Sequence, residues 1–287
     1  MKGLILLGGT GSRLNPITLS INKHLLPLYD KPLFYYPLST LMLMGIKEIC
    51  LVSTSESIPF LRKNLGTGER FGCSFTYLSQ DIPKGIPNAI SIAKDFLQES
   101  NFTMILGDNF FYGVGLGHAL TRKEFKNGAK IFGYPVSNPQ EYGVIKIEDG
   151  NIIDIIEKPL NFVSDIAITG LYQFDKDAIK MVENLRPSKV RQEYEITDLI
   201  NQYKRNDNLD FELLPRGTAW LDTGNPNSLL EASMFVRVIE ERQGLKIGCL
   251  EEIAYRNNWI DKLQLENLIS DKINNDYYSY IKKIIKQ

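Results

Sequence analysis

The chain contains no run of about 18 consecutive apolar residues, so no segment is expected to cross a membrane as a helix. Cysteine is scarce. Cys50, Cys73 and Cys249 are odd in number, widely spaced and set among apolar neighbours, which points to reduced core thiols and away from a disulfide framework or a cysteine metal site. Histidine is scarcer, with only His24 and His118, and no obvious set of an activated serine, cysteine or histidine presents itself for covalent catalysis. Neither sign of charge dominates: 33 basic and 34 acidic side chains give a formal net charge of -1, and no field exists to draw in nucleic acid or an anionic membrane. Any anion must therefore be met by a local site. The opening "MKGLILLGG" has one lysine and five apolar residues, too few for a secretory leader, so a cytoplasmic protein is expected.

What is present is ample apolar material. With 287 residues, 43% of them hydrophobic, the chain can bury the core of one large domain or two modest ones. Short apolar runs at "GLILL", "EICLVS", "SFTYLS", "TMILGD" and "AKIFGYPV" alternate with amphipathic stretches at "FYYPLSTLMLMG", "IPFLRKNLG" and "PNAISIAKDFLQ". That alternation predicts an α/β fold, a mostly parallel sheet flanked by helices. After residue 140 the pattern changes: "GVIKIEDGNIIDIIEKP" places two β-rich runs around Asp149-Gly150, a hairpin signal, and "IAITGLYQFD" and "LDFELLP" read as further strands. A helix of about five turns is expected over "PNSLLEASMFVRVIEERQG", closed by Gly244, and the remainder is helical by period. The predicted organisation is an α/β domain over 1–240, divided into parts 1–140 and 141–225 of which the second is a β-rich insertion, and a C-terminal helical appendage over 241–287.

"LGGTGSRLNPIT", residues 7–18, follows the first apolar run. A glycine-rich turn after the first strand of such a sheet can present backbone N–H groups to phosphate. A dinucleotide fingerprint G-x-G-x-x-G aligns at Gly9 and Gly11, but its third position is Leu14, and the acidic residue about 20 positions on, Asp30, sits in the turn "YDKP" and not at a strand end. The Gly-Lys-Ser/Thr triplet of a P-loop is absent. What remains is backbone donors plus Arg13, whose guanidinium matches phosphate oxygens bidentately; a surface turn with a solvated arginine stays open on the loop alone. Lys23 follows in a segment stiffened by Pro27 and Pro32, and Lys31 by itself reads as a solvated turn lysine. Asp108 closes the buried run "TMILGD" and Asp222 the apolar run "AWLD". Carboxylates at such ends suit a hard cation such as Mg²⁺, while an aspartate there also caps turns and helices, and both readings stand on the residues alone.

The combination "GGTGSRLNPIT" and "NKHLLPLYDKPLFYYPLSTL" resembles the sugar nucleotidyltransferases, most closely the glucose-1-phosphate thymidylyltransferases. "GDN" at 107–109, "EYGVIKIED" at 141–149, "EKP" at 157–159, "ITGLYQFD" at 168–175, "EYEITDLIN" at 193–201, "RGTAWLDTG" at 216–224 and "RQGLKIGCLEEIAYRNNWI" at 242–260 follow in the family's order. The resemblance implies a Rossmann-like nucleotidyltransferase sheet, with a nucleotide-binding part over 1–140 and a sugar-binding part over 141–225. It implies a Mg²⁺-dependent reaction in which glucose-1-phosphate attacks the α-phosphorus of dTTP, giving dTDP-glucose and pyrophosphate. Phosphoryl and nucleotidyl transfers of this kind need cations, metal and alignment more than covalent chemistry.

Carried over position by position, the resemblance gives the nucleotide to Leu7, Gly8, Gly9, Gly11, Ser12 and Arg13, with the triphosphate on the loop from Gly8 to Arg13. Arg13 meets the leaving β and γ groups, Lys23 bridges the α-phosphate and pyrophosphate, and Lys158 holds the sugar phosphate. Mg²⁺ falls to Asp108 and Asp222, with Asp108 also on the nucleotide. Gln80 and Gly85 meet the base; Asn109, Tyr142, Gly143, Glu157, Thr169 and Tyr172 join Lys158 around the sugar. Without the family, "EKP" reads equally as a charge pair before a strand-breaking proline and "ITGLY" as a strand of alternating core residues. The sequence departs from the family at Ser12, at His24 where glutamine is usual, at Gly85-Ile86-Pro87-Asn88-Ala89 where Gly-Leu-Ala-Gln-Ala is usual, at Gln192 and Tyr194, and across Gly113–His118. A homotetramer with feedback inhibition by a downstream dTDP-deoxysugar is also implied, with Tyr36, Glu251 and Arg256 as candidate contacts. UTP or another sugar phosphate in the same reaction, a non-catalytic nucleotide-sugar sensor and a dinucleotide dehydrogenase are the competing readings.

Overall fold

The computed structural model describes residues 1–9, 11–188, 192–270 and 275–286. Thr10 of the glycine-rich loop, residues 271–274 and Gln287 of the expected C-terminal helices, and 189–191 lie outside them. The first half runs β1 (Lys2–Leu7), β2 (Pro27–Leu28), β3 (Lys31–Pro32), α1 (Tyr35–Leu43), β4 (Glu48–Ser53), α2 (Ile58–Leu65), β5 (Ser74–Ser79), α3 (Ile86–Ile92), α4 (Lys94–Leu97), β6 (Phe102–Leu106), β7 (Asn109–Tyr112), α5 (Leu116–Thr121) and β8 (Ala129–Pro135). There follow β9 (Gly143–Glu148), β10 (Asn151–Glu157), β11 (Ile166–Phe174), α6 (Asp177–Glu183), α7 (Ile196–Arg205), β12 (Leu209–Leu213), β13 (Ala219–Asp222), α8 (Pro226–Gln243), α9 (Leu250–Arg256), α10 (Lys262–Ile269) and α11 (Asp276–Ile285).

The expected α/β architecture is present, with a nine-stranded sheet among the described residues, ordered β10-β9-β11-β6-β1-β4-β5, β8 pairing with β11 and β12 with β8. β1 lies in the middle, parallel to β4 on one side and β6 on the other, and β4 is parallel to β5. Its run of buried residues follows from that place, since a parallel strand has helices on both faces. Ile5 and Leu7 join the core that holds Leu38, Leu41, Leu51 and Leu61, whereas Leu4 and Leu6 join Ala89, Ile90 and Leu97 on the other face, the two-residue alternation of a strand. Leu250, Ile253, Leu265 and Ile281 belong to the first of these cores, so the C-terminal helices extend it.

The β-rich second half extends the same sheet. β9 and β10 form the expected hairpin, antiparallel, with Asp149 and Gly150 both at positive φ. β8, grouped by sequence with the parallel strands, pairs antiparallel with β11 and parallel with β12. β11 pairs antiparallel with β6, and its register on β8 shifts between Ile168 and Tyr172, a bulge that turns out to face the site. The single helix expected over 87–98 is broken at Ala93 into α3 and α4. α8 keeps its expected bounds: Pro226 opens it, Asn225 and Ser228 exchange capping bonds of 3.0 and 3.2 Å, and Gly244 ends it at φ 64°. Among the described residues no helix is long and apolar enough to cross a membrane.

Candidate active site

A cavity of about 500 Å³ opens where β1, β5 and β6 end, the edge at which parallel sheets hold ligands. Its floor is the turn after β1. Gly9 and Gly11 take φ of 102° and 60°, and the carbonyl of Gly11 accepts from Leu14 N–H (2.8 Å) and Thr18 Oγ1 (2.8 Å). Leu14, which stands where the dinucleotide fingerprint requires glycine, is 1% exposed and fills the core. Arg13 reaches across the turn toward β13: a Cβ placed on Gly224 would lie 2.8 Å from Arg13 Nη2 and 3.0 Å from Asp222 Oδ1.

Asn22 fixes the second cation. Its Oδ1 accepts from His24 N–H (2.9 Å), its Nδ2 donates to Leu7 O (3.0 Å), and the short turn so capped aims Lys23 Nζ at Asp108 Oδ2, with which it forms an ion pair. His24 lies behind this pair, 2% exposed, with Nδ1 2.9 Å from Asn22 Oδ1. Burial first, then the neighbouring Lys23 charge, lowers its pKa to about 3, so the imidazole is neutral.

Asp108 follows β6 and is held in place through its backbone: Thr223 N–H (3.0 Å) and Thr223 Oγ1 (2.8 Å) both donate to its carbonyl. β13 pairs with β7 so that Asp222 stands opposite Asn109, which brings the two aspartates expected to share a metal to one wall. Burial opposes the charge on Asp108, but Lys23 and the donors around it prevail and hold the carboxyl below the usual range. Asp222 goes the other way: burial and then Asp108 push it up to about 6 against the pull of Lys23 and Arg13. Its buried Oδ1 has no hydrogen-bond partner. Such an atom beside a second carboxylate fits a hard cation, which takes oxygen ligands and completes its shell from phosphates and water. No group of three or more His, Cys, Asp or Glu side chains fit to hold a metal occurs among the described residues, so this pair would be the whole protein contribution.

Across the cavity, Gly143 stands opposite Glu157, and a Cβ on it would lie 3.1 Å from Glu157 Oε2. Lys158, at φ 45°, donates its N–H to Tyr142 O (3.0 Å) and presents an exposed side chain to the opening. Tyr142, its hydroxyl pushed up to about 12 by burial and Asp222, packs at 5.2 Å from the Trp220 ring. Gln80, Gly85 and Tyr172 complete the set that sequence reasoning brought together. Gly85 at φ 97° admits a neighbour other than a base: a Cβ there would lie 2.1 Å from Tyr194 O, and Tyr194 N–H donates to Lys84 O (2.9 Å), strapping the base-side loop to the sugar-side wall.

Several expected residues lie elsewhere. Leu7 is buried in the core, its carbonyl taken by Asn22 and Ser53; Gly11 and Ser12 stand outside the cavity lining. Thr169 is fully buried and donates to Phe132 O (3.0 Å), because strand alternation turns it to the opposite face from Ile168 and Gly170, which line the cavity in its place. Asn109 lines the cavity, yet its amide is spent inside the fold, Oδ1 accepting from Gly170 N–H (2.9 Å) and Trp220 Nε1 (2.6 Å) and Nδ2 donating to Asp108 (3.0 Å). Asn22, Trp220 and Thr223 were missed. Asn22 alone gave a sign, as a capping residue immediately before Lys23.

The nucleotidyl transferase family model matches residues 2–238. The chain belongs to the nucleotidyl transferase family. As a nucleotidyltransferase it is an enzyme, similar over 99% of its length and of theirs to the glucose-1-phosphate thymidylyltransferase of Mycolicibacterium smegmatis, at 45% identity. The glucose-1-phosphate thymidylyltransferase of Mycobacterium tuberculosis H37Rv is 43% identical over the full length of both chains. A crystal structure assigned to the same activity from Bacillus anthracis, in complex with sucrose, superposes with a TM-score of 0.76 at 38% identity, covering 83% of this chain and 95% of that one.

A smaller cavity of about 250 Å³ is lined by Leu43, Tyr112, Gly113, Lys246, Glu252 and Arg256 among others. Of the candidate regulatory contacts Arg256 faces it. Tyr36 is buried, donating to Leu28 O (2.7 Å), and Glu251 is buried under Tyr277, whose hydroxyl donates to it (2.6 Å).

Proposed function

We propose that the enzyme transfers the thymidylyl group of dTTP to glucose-1-phosphate. A phosphate oxygen of the sugar ester attacks the α-phosphorus, the bond from that phosphorus to the β-bridging oxygen breaks, and pyrophosphate leaves with the electron pair. The nucleophile is already an anion, so no general base is required, and the neutral His24 is not asked to be one. The observation that carries the reading is that Arg13, Lys23, Asp108, Asp222, Lys158 and Glu157 all line one cavity. Arg13 and Lys23 offset charge on the triphosphate and its leaving group, Lys158 holds the sugar phosphate, and Glu157 accepts sugar hydroxyl hydrogens.

The charges lining the cavity support a metal requirement. Arg13, Lys23 and Lys158 are outnumbered by Asp108, Glu141, Glu157, Glu193, Glu195 and Asp222, a poor match for two phosphate esters without an added cation. Mg²⁺ held by Asp108 and Asp222 would supply charge neutralisation at the phosphate oxygens. Pyrophosphate release measured with dTTP, UTP, CTP and ATP against glucose-1-phosphate tests the reading: dTTP is the preferred donor, UTP as the best donor changes only the base assignment, and no release with any of them leaves a nucleotide-sugar sensor.

Leu230, Met234 and Val238 recur every four residues along α8 and are 61, 58 and 54% exposed, a stripe that supports self-association, with the homotetramer as the expected state. The smaller cavity, with Lys246 and Arg256 in its lining, supports feedback binding of a dTDP-deoxysugar. The free, buried Cys50, Cys73 and Cys249 support a cytoplasmic setting.

A further inference from the structure

A glutamine that reads a base is ambiguous by itself. Its amide has one accepting and one donating end at nearly equal reach, and a half-turn about the last bond exchanges them. With the oxygen forward it meets the N3–H of thymine or uracil; with the nitrogen forward it meets the unprotonated N3 of cytosine. Whatever holds the amide in one of these senses sets which pyrimidine is accepted.

The surroundings of Gln80 contain such a hold. Its backbone is anchored by its own N–H to Ser53 O (2.7 Å), at the end of β5. Its side-chain Nε2 donates to Asn88 Oδ1 (3.0 Å). With the nitrogen so engaged, Oε1 is turned toward the glycine-rich loop, 3.2 Å from where a Cβ on Gly8 would lie. Gln80, Gly8 and Gly85 line the cavity; Asn88, in the first turn of α3, does not, and stands behind Gln80. A half-turn of Gln80 would bring its oxygen against Asn88 Oδ1, two acceptors at hydrogen-bonding distance, unless Asn88 turned as well.

We infer that Asn88 is a positioning residue for base selection: by holding Nε2 of Gln80 it presents Oε1 to the nucleotide, favouring a pyrimidine with an N3–H over cytosine. The inference rests on the reading of Gln80 as the base-contacting residue. Asparagine can itself turn, so the hold is incomplete, whereas an aspartate at the same place accepts only and cannot be reversed. Asn88→Asp and Asn88→Ala therefore bracket the wild type.

The test is the ratio of kcat/KM for dTTP to that for dCTP, each with glucose-1-phosphate, in the full-length wild type and both variants. Asn88→Asp is expected to keep the ratio at or above the wild-type value. Asn88→Ala is expected to lower it about fivefold or more, the worth of one hydrogen bond, through weaker use of dTTP and improved use of dCTP. A merely structural role for Asn88 would depress both nucleotides in parallel; that result, or an unchanged ratio in Asn88→Ala, overturns the inference while leaving the transfer reaction intact. Should the wild type turn over neither nucleotide, the reading beneath fails, and the ratio of dTTP to dCTP dissociation constants by calorimetry still decides the role of Asn88 by the same pattern across the variants.

Discussion

Lys23 and Asp108, proposed above to meet a phosphate and a metal, form an ion pair with one another at the cavity. The pairing gives two partly buried groups a partner of opposite sign within the fold. Lys23→Ala is expected to lower kcat about 10²–10³-fold, as loss of a group facing charge that develops in the transition state does, with a smaller change in KM; steady-state kinetics with dTTP and glucose-1-phosphate check it. An effect confined to KM would give Lys23 a binding role only. At Gly85 the constraint is steric. With φ at 97° and Tyr194 O 2.1 Å from the position of a Cβ, Gly85→Ala should cost about 1–3 kcal/mol and lower the thermal midpoint, while Gly9→Ala, which meets nothing within 4 Å, pays only its φ of 102°. The side chains proposed for catalysis were legible through the family resemblance that "GGTGSR", "NKHLLP", "GDN", "EKP" and "LDTG" carry together, since each motif alone also reads as an ordinary turn or cap. Their supports were not. That Asn109 holds Gly170 and Trp220 together, or that Thr169 donates to Phe132, follows from a bulge in β11 that no local pattern announces.

At the scale of elements, the hairpin of β2 and β3 shows what a sequence pattern hides. Lys31 reads as a solvated turn lysine, yet it is 5% exposed, paired with Asp30 and, at 3.2 Å, with Glu240 of α8, itself 5% exposed. Lys246, beyond the end of α8, closes the network with bonds of 2.7 Å to both Asp30 and Glu240, and Glu240 also accepts from Ile247 N–H (2.9 Å). The partner lies 209 residues away, out of reach of any local reading. Two cations and two carboxylates balance, so removing Glu240 leaves Lys31 and Lys246 to share Asp30 alone, one positive charge in excess. Glu240→Gln should destabilise the protein by about 3–5 kcal/mol, read as a lower denaturant midpoint. Burial works against the charge on Asp30, but Lys31 and Lys246 outweigh it and lower its pKa. A carboxyl depressed in the folded state contributes stability above its ordinary value of about 4, and that stability is lost as the pH falls through this range. Thermal midpoints should therefore drop between about pH 5 and pH 3, and less steeply in Asp30→Asn. An equal pH slope in the two proteins would remove Asp30 from the network.

For the whole molecule, the arrangement of strands explains why two polyanions can meet. The parallel strands β1, β4, β5 and β6 carry their ends to one edge, and the antiparallel β11 joins the hairpin of β9 and β10 to that sheet so that Lys158 and Glu157 line the same cavity as Lys23 and Asp108. Apolar runs and their spacing made the parallel half readable, since buried strands are continuous and their helices periodic. Strand order in the second half was not readable, because β8 and β12 are adjacent in space yet 80 residues apart in sequence, as at Leu209 and Ala129, and pairing at that separation is set by the finished core. The proposed reaction joins an intact sugar phosphate to the α-phosphoryl group of a nucleotide in one cavity. The most direct measurement uses dTTP labelled at its α-phosphorus and glucose-1-phosphate labelled at its own phosphorus with a second isotope, in the presence of Mg²⁺. The account predicts that both labels appear together in one nucleotide sugar and that the released pyrophosphate carries neither. Label in pyrophosphate or inorganic phosphate, or the absence of a doubly labelled product, would contradict it.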